Sequence, residues 1–432
     1  MKAARARALV VVLALLVPVA GAPAAGAHDP DDAKAEAFAG RAGSAGATAA
    51  LAAVSGVPCV DGSAAGYPCE NVDLEAFVPL SELGEGPGLE GLDIWGWTDP
   101  ETGREYALQT TTRATVFVDI SDPQNPVILG ALPTQSSEGL PFWRDVKVYG
   151  NHAYVVSENF NHGMQVFDLT RLRTTSPTPE VFAPDAVYRG FGRSHNLVIN
   201  EDSGFAYAVG SDTCAGGLHM IDLHDPADPT FAGCYADDGY VHDAQCVIFH
   251  GSNRRLQGRE LCFALNRDAV TIVDVTDKGH PRRLSRTVYP NAFSAHQGWL
   301  TPDHRWFLFG DEADELIGSV PGTTTYVMQV ANPLNPSRPQ AFSAETAAID
   351  HNRYIHDGLL YEANYHAGLR IYDYDERSLR RAQLREVGYF DIFPADDDPG
   401  FQGAWSSYPY FASGVVIVSG IDSGLFVLRP RL

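Results

Sequence analysis

The chain has 432 residues, with 31 Lys and Arg against 54 Asp and Glu, for a formal net charge of −23. Aromatics make up 10% and the AVILMFWYC set 45%, which suits a large core and excludes a disordered polyelectrolyte. The acid excess works against binding a nucleic-acid backbone, which needs Lys and Arg to displace counterions, and against docking on anionic lipid.

Residues 1–27 read as a secretory signal. Lys2, Arg5 and Arg7 precede an apolar run at 8–20 that is short for a membrane span, and Ala25-Gly26-Ala27 is an A-x-A-type cleavage site. Cleavage removes three basic and no acidic residues, so the charge moves from −23 to −26. No later stretch is apolar for 18 residues, and the terminal LRPRL is no anchor. The expectation is a secreted, extracellular monomer with no transmembrane segment in the mature chain. Residues 28–58 are rich in Ala and Gly and read as a linker, and 59–432 as one domain.

The next element is a strand, VDLEAFVPL, at 72–80. After it one pattern recurs: a β-branched stretch ends in Asp and runs into a turn. The aligned positions are Asp119, Asp168, Asp222, Asp274, Gln329 and Asp373, at intervals of 49, 54, 52, 55 and 44 residues. A seventh copy at 425–430, LFVLRP, lacks the Asp. Each copy follows two other strand-like runs, such as RDVKVY and HAYVVSE, and several lead into a fourth, such as PVILGALP. Four strands at this period predict the blade of a β-propeller, a unit that buries its faces only by stacking on its neighbours. The fold class is thus all-β: seven four-stranded antiparallel blades, closed by the strand at 72–80 in the outer position of the last blade. Closure of this kind leaves no open sheet edge. The repeated Asp is expected to bond the backbone two residues on.

Six cysteines in an exported chain imply disulfides. Of the 15 possible connectivities, nearest-neighbour pairing is favoured: Cys59–Cys69, Cys214–Cys234 and Cys246–Cys262. No pair has the C-x-x-C spacing of a redox motif or zinc knuckle.

The copies resemble the LVIVD repeat, most closely at TIVDV (271–275). The span from about 59 to 430 resembles the choice-of-anchor B family of exported bacterial proteins. The motifs that carry this include GLDIWGW (91–97), RDVKVYGNHAYVVSE (144–158), HDAQCV (242–247), AHQGWL (295–300) and ANYHAGLRIYD (363–373). The resemblance implies a propeller-like exported protein whose C-terminal attachment signal varies, and no established activity.

In a propeller the first strand of each blade lines the central channel, and the loops into it share a face with the loops between second and third strands. Four successive blades place a histidine where the inner strand starts: His195, His242, His296 and His351. Imidazole is the commonest transition-metal ligand, so these four are candidate ligands for a divalent transition metal, with Asp145 as a fifth. Ca²⁺ at Asp396-Asp397-Asp398 is the weaker cofactor reading, because the run lacks the alternating oxygen ligands of a Ca²⁺ loop. Candidate ligand-contacting residues on the same face are Asp93, Trp95, Glu158, Asp243, Glu312, Asp350, His366 and Trp405. Other loop-tip residues, Tyr365 among them, complete a polar funnel. There is no G-x-S-x-G elbow, H-E-x-x-H motif or phosphate-binding glycine loop.

Two readings follow. In the first, the protein is an extracellular ligand- or protein-binding or scaffold module whose channel-mouth face takes a small polar ligand, a glycan or a protein. In the second, it is a metal-dependent propeller enzyme built on the four histidines.

Overall fold

The repeat of about fifty residues becomes a sheet each time. A computed structural model describes residues 52–138, 143–174, 178–290 and 292–432. The signal segment and most of the expected linker lie outside the described residues. Seven antiparallel sheets form the architecture, each with four sequential positions from the channel outward. The inner strands are Gly91–Thr98, Arg144–Tyr149, Asn196–Asn200, Val241–Ile248, Ala295–Leu300, Asn352–His356 and Ala404–Tyr408. Each touches the next, and the last touches the first, so the blades form a closed ring.

The middle strands explain why the blades must stack. Glu105–Thr111 and Ala269–Asp274 are buried at every position, which requires cover on both faces. That cover is aromatic and β-branched. Between blades four and five, for example, Phe263, Ile272, Phe307 and Phe309 pack in one cluster.

Closure follows the expected route. Val72–Pro79 pairs antiparallel with Gly424–Pro430, setting Phe77 opposite Phe426 and Asp73 opposite Arg429. The residues just upstream, Tyr67–Glu70, extend blade six instead, through Tyr389 and Phe390. The N-terminal segment therefore crosses from blade six to blade seven, and the Cys59–Cys69 disulfide ties it down. The other two disulfides, Cys214–Cys234 and Cys246–Cys262, are also the nearest-neighbour pairs.

Beyond the segment at 63–70, two further strands lie outside the repeat pattern. Val54–Val57, inside the stretch read as linker, forms a fifth strand on the outside of blade seven. Glu180–Val181 leaves blade two, pairs in parallel with the outer strand of blade one, and the chain then returns as Ala186–Tyr188. Both additions cover an exposed sheet edge.

The repeated aspartates close the turns. Asp119, Asp168, Asp222 and Asp274 each accept a hydrogen bond from the backbone N–H two residues on. Asp373 departs from the pattern and pairs with Arg385 across the hairpin.

Candidate functional site: a buried histidine and glutamate cluster

The four histidines converge. His195 and His351 stand one residue before their inner strands, and His242 and His296 are the second residues of theirs. This common register stacks the imidazoles in an arc, with ring centroids 4.2 Å apart for His195 and His242, 4.0 Å for His242 and His296, and 4.3 Å for His296 and His351. Trp405 continues the arc from blade seven, 4.7 Å from His351. All are buried, at 7% exposure or less.

The loop after the second strand of blade five brings in Glu312. Its Oε2 lies 3.4 Å from His296 Nε2 and its Oε1 3.8 Å from His351 Nε2. Tyr365 Oη donates to Oε1 at 2.6 Å. Tyr365 achieves this at a cost: its φ of +40° lies in the left-handed region that non-glycine residues avoid. Gly403 makes room for it, since a Cβ there would sit 2.3 Å from the Tyr365 carbonyl oxygen. Nothing in the sequence singled out Tyr365 from its polar loop neighbours.

The far nitrogens of three rings are fixed. His195 Nδ1 meets Glu158 Oε1 at 2.8 Å, His242 Nδ1 meets the His296 carbonyl at 3.2 Å, and His351 Nδ1 meets the Trp405 carbonyl. Each partner is an acceptor, so each Nδ1 carries the proton and each Nε2 presents its lone pair. His195 Nε2 and His242 Nε2 then face each other at 2.8 Å. Two lone pairs at that distance repel unless a cation lies between or beside them. Three acceptor-facing contacts run along this pair, and two neutral imidazoles hold only two protons.

The spacing suits a metal ion. Ligand bonds of ~2.0–2.1 Å place neighbouring donor atoms about 2.9 Å apart at right angles and about 3.4 Å apart at tetrahedral angles. The observed 2.8 Å and 3.4 Å separations span that range. The donor atoms of His242, His296 and Glu312 all lie within 4.8 Å of one another. Holding the outer nitrogen of a ligating histidine on a carboxylate or carbonyl is the usual supporting arrangement around metals. The space enclosed is about 10 Å³, room for one water-sized occupant.

The remaining candidates separate from this cluster. Asp145 does not reach it: Lys147 pairs with both Asp145 and Asp93, and Asp145 also accepts from Leu197 N at 2.6 Å. Asp350 is locked against Arg353 between blades five and six, where its carboxyl lies within 4.8 Å of those of Asp314 and Glu315. Burial drives the Asp350 carboxyl well above its ordinary value, with Asp314 and Glu362 adding to the shift. His366 bonds Asp396 at 2.8 Å and packs on Phe393, away from the arc. Trp95 and Asp243 line a different cavity, deeper in the channel. The expected funnel is therefore not one site. Of the expected ligand-contacting residues, Glu158, Glu312 and Trp405 join the four histidines, together with Tyr365 from the funnel and Trp143 against His195.

The fold and cluster define a seven-bladed β-propeller with a buried, imidazole-rich channel mouth. The family model described as LVIVD repeat matches residues 143–166, the first two strands of blade two and the start of its third. That is a different copy from TIVDV, the one that most resembles the repeat motif. A crystal structure of a protein from Lactobacillus plantarum is similar at a TM-score of 0.47 and 12% identity, over 76% of this chain and 87% of that one. No curated protein matches the sequence. Among the described residues no helix is long and apolar enough to cross a membrane.

Proposed function

We propose that the protein is an exported propeller that holds one divalent transition-metal ion at its channel mouth and uses it to capture a small polar ligand. His242, His296 and Glu312 are the ligands, with His195 facing His242 and His351 beside Glu312. The observation that carries the reading is the pair of Nε2 atoms facing each other at 2.8 Å while both Nδ1 atoms are committed to acceptors. A donor set of imidazoles and one carboxylate favours Zn²⁺, Fe²⁺, Mn²⁺ or Co²⁺ over Ca²⁺, which takes oxygen ligands. A bound ion would polarise a carbonyl or carboxylate ligand, or acidify a bound water. Glu158 and Tyr365 orient His195 and Glu312. The three disulfides suit an oxidising, extracellular compartment.

The test is titration of chelator-treated protein with Co²⁺, followed by its visible absorption. One equivalent should bind and give ligand-field bands. Glu312→Gln and the His242→Ala, His296→Ala double variant should lose them. Absence of saturable uptake would overturn the proposal and leave a hydrogen-bonded histidine pair that shares an extra proton.

A further inference from the structure

A second cavity occupies the channel toward the other ends of the inner strands. Its volume is about 420 Å³, within the range of small-molecule sites. Aromatic rings form its walls: Trp95, Trp299, Tyr354, Tyr408 and Tyr410. They lock one another edge to face, with centroids 5.1 Å apart for Trp95 and Tyr408, 5.0 Å for Trp299 and Tyr354, and 5.2 Å for Tyr408 and Tyr410. Aromatic faces carry negative potential.

The charged groups of the cavity are mostly acids. Glu201 and Asp202 stand at the exposed rim, and Asp243 lies within. The one lysine, Lys147, is held by Asp93 and Asp145, and its ammonium sits 4.7 Å from the centre of the Trp95 ring. The fold already seats one ammonium on an aromatic face here. Asp243 has no such cation. Among the described residues its carboxyl accepts one hydrogen bond, from Ala244 N at 2.7 Å, and forms no ion pair.

The amides that would read sugar hydroxyls are largely engaged between blades. Gln245 Oε1 accepts from Leu300 N at 2.7 Å. Gln297 accepts from Arg353 N and donates to its carbonyl. Aromatic walls with a free carboxylate favour a cation over a neutral sugar, and acids repel an anion.

We infer that this cavity binds a small organic cation, an alkylammonium or quaternary ammonium group packed on the aromatic walls with Asp243 as its counter-ion. The cavity lining excludes the four histidines and Glu312, although Asp243 directly follows His242.

The probe is choline, with its neutral isostere 3,3-dimethylbutan-1-ol as control, followed by quenching of tryptophan fluorescence. Choline should saturate, and the neutral alcohol should bind at least tenfold more weakly. Asp243→Asn should weaken choline at least tenfold, and Trp299→Leu should do the same if Asp243→Asn fails to fold. Chelator treatment should leave choline binding unchanged, which separates this site from the histidine cluster. Absence of saturation up to about 10 mM choline, a limit weaker than −3 kcal/mol, would overturn the inference. So would equal binding of the neutral alcohol, or binding indifferent to both substitutions.

Discussion

Replacing Phe77 with Ala tests the closure of the ring. Phe77 is 2% exposed, sits opposite Phe426 in the register of the closing strand, and lies 4.6 Å from its ring centroid. Tyr67 touches the same pair, 5.3 Å from Phe426. Truncating a fully buried phenylalanine costs about 3–5 kcal/mol in transfer and cavity terms. The lost ring pair is already part of that figure. Over the roughly 380 residues of the propeller, an unfolding entropy of ~2.1 cal/mol/K per residue converts this to a fall of about 4–6 °C in Tm. Val54→Ala on the added fifth strand is the control. Val54 is only partly buried, and its loss should cost about 1 °C or less. Differential scanning calorimetry at matched scan rate reads both. A fall below 1 °C for Phe77→Ala would mean that the strand at 72–79 does not carry closure, and the ring argument would fail.

Other outcomes follow from the same structure. Removing the Cys246–Cys262 disulfide by a double Ser substitution opens a loop of sequence separation 16, which should cost about 3 kcal/mol in urea unfolding; a neutral effect would contradict its structural role. Burial raises Asp311 to about 7 and Asp314 to about 6 from 3.8, so both are more protonated folded than unfolded in that window. Their contribution is complete below about pH 4 and is lost as pH rises through 7. The stability of the wild type relative to Asp311→Asn should therefore fall from pH 4 to pH 7 in urea titrations, and a rise would refute the sign. Glu158→Gln, which weakens the acceptor holding His195 Nδ1 and so the ring that faces His242, should lower Co²⁺ affinity by roughly 10–100-fold in competition with a chelating dye; unchanged affinity would leave His195 without a role at the metal.

Much of the fold was legible because repeats leave periodic marks. The strand-end aspartates set the blade period, and four of them make the bonds expected of them. The closing strand at 72–80 was legible because the last copy lacked a fourth strand. Val54–Val57 was not, because two valines in an Ala- and Gly-rich context carry no alternation. Nor was the excursion of Glu180–Val181, a two-residue pairing set by tertiary contact.

The site was half legible. One shared register position predicts that His195, His242, His296 and His351 come together, because equivalent residues of successive blades are neighbours. Which acid joins them depends on loop paths that no periodicity encodes, and so Glu312 arrives while Asp350 is diverted to Arg353. Asp145 is lost to Lys147, whose side chain lies two residues further along the same strand. The aromatic cavity was not legible because Trp299, Tyr354, Tyr408 and Tyr410 lie within or after their inner strands and not at the strand starts that carry the histidines.

The central claim is that a metal ion lies among His195, His242, His296 and Glu312. Elemental analysis of the purified, untagged protein tests it most directly. About one equivalent of a divalent transition metal per chain is expected, lost in the His242→Ala, His296→Ala variant with the propeller still folded. A wild-type protein free of stoichiometric metal after supplementation, or a variant that retains it, would contradict the account.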